Sequence, residues 1–327
     1  MSPGIRLAGA PPGNARAGVR SADRIGNGVL YGLCMLAALL AVVAIGAIAY
    51  KVTSGASASI SRFGLGFLAH TAWKPNFEIF GAATFLYGTA VTSLAALLLA
   101  VPLGVSIGLY LSMMAPRRLR GVIGPLVEML AAIPSVILGF WGILVFGPFL
   151  QRHLEPFLHR ALGFLPIFGA PSTTGSGLFN ASLILTIMVV PIIASISRDL
   201  FLSVPQELQD GATALGATRW EVLRGVVLPS AASGVAAAAF LGLGRALGEA
   251  IAVTQVIGAG NFIHASLFGT GDTLASRIAN QYQGAATPAL ISSLFYLGFI
   301  LLVIGLLANI AAQWIARRFD VRMVAAR

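Results

Sequence analysis

Charge is what this chain has least of. Only 10% of its 327 residues are Asp, Glu, Lys or Arg, whereas a soluble surface needs about a quarter. With 57% hydrophobic residues and a mean hydropathy of +0.88, a water-soluble domain is excluded and the chain reads as an integral membrane protein. Lysine is scarcer still: Lys51 and Lys74 are the only two, and neither follows a glycine. A Walker A phosphate loop needs Gly-Lys-Ser/Thr, so the chain does not itself hydrolyse ATP. The single cysteine, Cys34, lies inside an apolar run, which excludes an intramolecular disulfide and a cysteine metal cluster. The four histidines, His70, His153, His159 and His264, fall between apolar runs without ligand spacing to Cys or Glu. Neither a zinc site nor any other cofactor is expected.

What is present is apolar length. Residues 1–24 are mostly Gly, Ala, Pro and Arg and read as a disordered tail. From residue 25 to 327 runs a membrane domain with six apolar stretches, approximately 28–50, 79–112, 121–149, 178–197, 225–262 and 288–316. Each is long enough to cross a hydrocarbon core of about 30 Å as a helix. Their continuity, without strict alternation, excludes a β-barrel. An all-α protein with six transmembrane helices is therefore expected. S-G-A-S-A-S (residues 54–59) offers an Ala-x-Ala cleavage site, but the apolar stretch before it exceeds a signal-peptide core of roughly 7 to 15 residues, so the first helix is expected to stay uncleaved.

The excess of basic residues, a formal net charge of +10, would point to nucleic acid in a soluble chain. Here it distributes by side. With a cytoplasmic N-terminus, the inside segments carry fourteen Lys and Arg and the outside segments six, which satisfies the positive-inside rule with both termini cytoplasmic and needs no nucleic acid. In the first outside segment, Trp73 reads as an interfacial anchor.

A literal G-x-S-x-G occurs at residues 104–108, the pattern of a hydrolase nucleophile elbow. That elbow needs a strand-to-helix turn, whereas this one sits in an apolar helical run away from every histidine, so small residues packing two helices is the preferred reading. The enzyme alternative requires a reactive Ser106.

The longest connection on the expected cytoplasmic side is residues 198–229. Leu208, Ala212 and Leu215 recur at helical spacing, Gly216 interrupts, and Trp220, Leu223 and Val226 resume up to Pro229, predicting two short amphipathic helices joined at a glycine. This segment resembles the "EAA" loop of ABC importer permeases: Asp210, Gly211 and Ala212 stand at the E-A-A positions, followed by Gly216, Val226, Leu228 and Pro229 at the family's spacing, with Asp for Glu and Gly for the first Ala. The resemblance implies a type I ABC importer permease fold, with these seven residues coupling to a separate ATPase subunit. The alternative is an interfacial amphipathic helix lying on the bilayer. Further stretches, Y-G-T-A-V-T-S-L-A-A-L-L-L-A-V-P-L-G (87–104), A-A-I-P-S-V-I-L-G-F-W-G (131–142) and G-R-A-L-G-E-A-I-A-V-T-Q-V-I-G (244–258), are similar to the PstC-type permeases of phosphate importers. That similarity implies inorganic phosphate as substrate, a PstA-type permease as heterodimer partner, PstB-type ATPase subunits, a PstS-type phosphate-binding protein and the inner membrane as location. Another oxyanion, such as molybdate or sulfate, and an ion-coupled transporter are the alternatives.

Arg245 and Glu249 lie inside an otherwise apolar run, where a charge costs roughly 2.5 to 3.5 kcal/mol. At i and i+4 they would share one helical face and pair. Gly244 and Gly248 would offer a close-packing face beside them. The functional reading gives Arg245 the fork of donors for a passing oxyanion and Glu249 the holding of that arginine. The packing reading makes them a self-neutralised bridge. Glu128, the other intramembrane acid, at the start of the third run, either lines the pathway or stays hydrated and pairs with a loop arginine.

Overall fold

The computed structural model describes the backbone of residues 14–324 and the side chains of 27–315 apart from position 117. Residues 1–13 of the expected tail lie outside the described residues. Helix α1 (Asn14–Phe63) begins within that tail, so residues 14–24 are helical; a helix already nucleated by a membrane span propagates cheaply through Ala and Arg.

Among the described residues, six helices are long and apolar enough to span a membrane. They are α1, over Asn27–Phe63 of its length; α2 (Ala83–Met114); α4 (Ser135–Leu162); α5 (Leu178–Leu202); α7 (Arg219–Gly248); and α10 (Pro288–Val324), over Pro288–Ile315. Between them lie α3 (Arg117–Ala131), α6 (Gln206–Ala214), α8 (Ile251–Val256) and α9 (Leu274–Gln281). The chain forms two contact units, residues 1–51 and 52–327, and the account below concerns the second.

The third apolar run is not one helix. Pro134 lacks the N–H that a continuing helix needs and biases Ile133 away from helical geometry; α3 therefore ends at Ala131 and α4 starts at Ser135. The third span is displaced toward the C-terminus, and it carries Arg152, His153 and Glu155 in its last turns.

The main core joins α2, α5, α7 and α8 through Ala96, Ala100, Ile184, Val189, Ile193, Ala246, Val253 and Val256. Packing of α2 on α5 follows a stripe of small buried residues at every fourth position, Ala96, Ala100, Gly104 and Gly108; Gly88, at the same spacing, meets the Asp272 backbone instead. A Cβ on Gly104 would stand 2.8 Å from Ile193, and one on Gly108 would stand 2.8 Å from the Ala194 carbonyl. The G-x-S-x-G pattern is therefore a helix-packing device, with Ser106 exposed away from the contact. Trp73 corrects another expectation: it is buried rather than interfacial. Its ring packs edge-on against Phe80 and Phe85, and its indole N–H donates to Gln281 at 2.9 Å.

Candidate functional site

The fifth apolar run also breaks, and it breaks between the two charges expected to share a face. Helix α7 stops at Gly248; Glu249 is extended, with φ −73° and ψ 115°, and α8 starts two residues later. The Glu249 carboxylate bends forward to accept the Ala252 N–H at 3.2 Å, satisfying one of the orphan donors that open α8. Arg245 and Glu249 do pair, at 3.8 Å, but across the end of a helix rather than along one. Glu249 is 9% exposed and Arg245 41% exposed. The carboxylate is thus fixed and the guanidinium largely free. Gly244 and Gly248 meet no atom within 4 Å at a would-be Cβ, so the small-residue face is open.

Arg245 stands on a groove of about 510 Å³ between α5, α7 and α10, lined by Ile192, Phe240, Leu241 and Gly244 on one side and Asn309 and Gln313 on the other. Sequence reading missed both amides. The signal was present: Asn309 and Gln313 stand four residues apart in the last apolar run, the spacing of one helical face.

The EAA-like loop folds as two helices joined at Gly216, but only the first is short: the second runs on through Pro229 as the fifth span. Helix α6 ends at Ala214, and Gly216, at φ +90°, takes the left-handed conformation that favours glycine. The Ala212 carbonyl then receives the Ala217 N–H at 3.1 Å, closing the helix end. Thr218 starts α7 with a capping box: its backbone N–H donates to Glu221 at 2.7 Å and its hydroxyl accepts the Glu221 N–H. The seven motif residues divide into two sets. Ala212, Val226 and Leu228 pack on a small core around Phe201, Val222 and Val227, whereas Asp210, Gly211, Gly216 and Pro229 are exposed. Next to Asp210, a cavity of about 540 Å³ is lined by Met113, Met114, Gln209, Thr213, Arg219 and Trp220.

Glu128 does not lie in the third span, because the break at Pro134 leaves it on α3. It pairs there with Arg198 of α5 at 2.9 Å, and Arg198 also holds Asp199 at 2.9 Å. The contact ties α3 to the end of α5 that leads into the EAA-like loop.

A further ion pair, enclosed in the fold, was not foreseen. Asp272 and Arg277 meet at 2.8 Å, 0% and 6% exposed. Arg277 also donates to the Asn261 side chain at 2.6 Å and lies 4.6 Å over the Phe85 ring, while Asp272 accepts the Thr273 N–H at 2.9 Å. Burial pushes the Asp272 carboxyl above the ordinary carboxylate range, opposed by the Arg277 charge, and pushes Arg277 down, opposed by Asp272. In the sequence these residues look like ordinary loop charges, because only the fold brings Asn261 and Phe85 to them. No cluster of three or more metal-ligating side chains occurs among the described residues.

Six membrane-spanning helices, with a break at a buried acid and a capped loop helix between the fourth and fifth spans, fit the class of transport permeases. Solved relatives agree on the fold: the chain is similar to a subunit of the MetNI methionine ABC transporter (TM-score 0.54, 20% identity, 76% of this chain and 99% of that one). It is also similar to one of a bacterial alginate ABC transporter (TM-score 0.57, 17% identity, 90% and 96%). The sequence profile of the binding-protein-dependent transport system inner membrane component matches residues 100–321. Phosphate transport system permease protein PstC of Mesorhizobium japonicum is 41% identical over 300 residues, covering 90% of this chain and 91% of its own. That of Haemophilus influenzae is 44% identical over 272 residues, covering 82% and 86%. The chain belongs to the binding-protein-dependent transport system inner membrane component family, among its PstC-type members. It is thus a multi-pass inner-membrane permease and one component of a larger transport system.

Proposed function

We propose that this chain is the PstC-type permease subunit of an ATP-driven importer of inorganic phosphate. The named relatives carry the substrate, and the open guanidinium of Arg245 on its groove carries the mechanism. In this reading a PstA-type permease covers the open Gly244–Gly248 face, PstB-type ATPase subunits grip the loop at Asp210, Gly211 and Gly216, and a PstS-type protein delivers phosphate to the opposite end. The bias of Lys and Arg toward the expected inside segments, fourteen against six, supports an orientation with both termini cytoplasmic.

Arg245 recognises the anion. Its guanidinium offers several N–H donors in a fixed plane, and a partner at 3.8 Å on one side leaves most of them unused. Glu249 is locked by the Ala252 N–H; it keeps the empty path near neutral and holds the arginine without filling its donor face. Anchored to an acid fixed in the backbone break, the arginine can swing between substrate and Glu249 as the helices around it shift.

The test is ATP-dependent uptake of labelled phosphate by the reconstituted complex, native against Arg245→Gln, with assembly scored in parallel. Losing a charge-assisted contact to a transported anion lowers turnover by about tenfold or more. Unchanged uptake with intact assembly would leave the pair as a packing device.

A further inference from the structure

We propose that Asn309 and Gln313 of α10 form a second oxyanion station, through which the anion passes between Arg245 and the cytoplasm; this rests on the phosphate-importer reading above. Both amides line the groove that Arg245 occupies, both are exposed to it, and neither forms a hydrogen bond among the described residues. A carboxamide inside a membrane span that binds nothing is a net cost. Two of them four residues apart, on one face and opposite an arginine, call for a ligand.

The geometry also gives the station a direction. Gly242, less than a turn before Arg245, faces Val189 midway along α5, so the guanidinium starts near the middle of the bundle. Along α7 the wall steps back from Arg245 through Leu241 to Ala237, toward the EAA-like loop, while α10 runs the opposite way and carries Asn309 and then Gln313 toward the same end. An anion leaving Arg245 toward that loop meets two neutral groups, each with two N–H donors and a carbonyl that can accept the proton of a hydrogenphosphate. Glu249, the nearest acid, is not among the groove-lining residues. Charge followed by neutral donors suits transit, since a site must bind well enough to admit an ion and weakly enough to release it.

Uptake of labelled phosphate, and separately of labelled sulfate, by the assembled complex in proteoliposomes tests the station, with stimulated ATPase and subunit assembly measured on the same samples. Asn309→Leu with Gln313→Leu is compatible with a membrane span, and Asn309→Asp places a negative charge in the path. The expected result is a fall of about tenfold in anion moved per ATP hydrolysed for the double variant, a larger fall for Asn309→Asp, and intact assembly for both. Uptake within twofold of native in both variants overturns the proposal. So does loss of assembly in the double variant with Asn309→Asp transporting normally, because the amides would then be glue between permease subunits. A native complex that moves sulfate and not phosphate overturns the substrate reading alone, and the variants are then scored on sulfate.

Discussion

Among the described residues, two acid–arginine pairs have a buried acid, and they are built for opposite ends. Asp272 and Arg277 are 2.8 Å apart and almost wholly enclosed, with Asn261 on the guanidinium and Phe85 beneath it. Arg245 and Glu249 are 3.8 Å apart, one partner fixed and the other open to a groove. Desolvating an ion pair is repaid only when geometry is tight and the remaining donors are filled. The first pair is close and enclosed, with Asn261 and the Thr273 N–H filling part of its hydrogen bonding. Arg277 Nε and Asp272 Oδ2 face each other without an aligned hydrogen bond, so the pair holds the fold around α9 chiefly by charge. The second leaves donors unfilled, which is useful only where something else arrives to fill them.

The largest effect that would break this contrast is expected at the enclosed pair. Arg277→Met leaves Asp272 buried without its counter-charge and should lower stability by about 3 to 5 kcal/mol, read as a fall in the thermal midpoint of the complex. The deficit should depend on pH. Burial already raises Asp272, and removing Arg277 takes away the main opposing influence. A carboxyl whose folded pKa is raised is stabilised in its protonated form, so the deficit should shrink as pH falls through that raised pKa and widen above it. The same deficit at acid and alkaline pH would show that Asp272 is not buried as described. A smaller loss, about 1.5 to 3 kcal/mol, is expected for Asn261→Ala, which removes a hydrogen bond to a charged group; no change in midpoint would remove Asn261 from the cluster. At the open pair, Glu249→Gln should cost about 1 kcal/mol or less in stability, because an amide oxygen can still receive the Ala252 N–H. Uptake should nevertheless fall several-fold, since the arginine loses its anchor. If Glu249→Gln destabilises as much as Arg277→Met, the two pairs are the same kind of object and the contrast fails.

The six spans were legible because continuous apolar runs of sufficient length have few other solutions. The two-helix loop was legible because Gly216 and the Thr218–Glu221 box write their geometry locally. The breaks were harder to read. A proline within an apolar run either kinks a helix or ends it, and Pro134 ends one, moving Glu128 off the third span. Nothing local marks the end of α7 at Gly248, because the Glu249 bond to Ala252 that stabilises the break forms only once the break exists. The enclosed Asp272 cluster joins residues from three separated segments, and the placement of Asn309 and Gln313 opposite Arg245 depends on how α10 lies against α7. Contacts of that kind are tertiary and leave only a faint trace in periodicity.

The small-residue stripe from Ala96 to Gly108 has a mechanical consequence. Backbones in that close a contact can neither slide nor bulge without collision, so α2 and α5 behave as a single strut. Because α5 is joined to α6 by only three residues, on the proposed coupling a push delivered at Asp210 would pass into this strut with little lost to compression. Whatever yields must then lie elsewhere, and the interruption at Glu249, where two helical rods meet end to end through one extended residue beside the exposed guanidinium, is where the stroke would be spent.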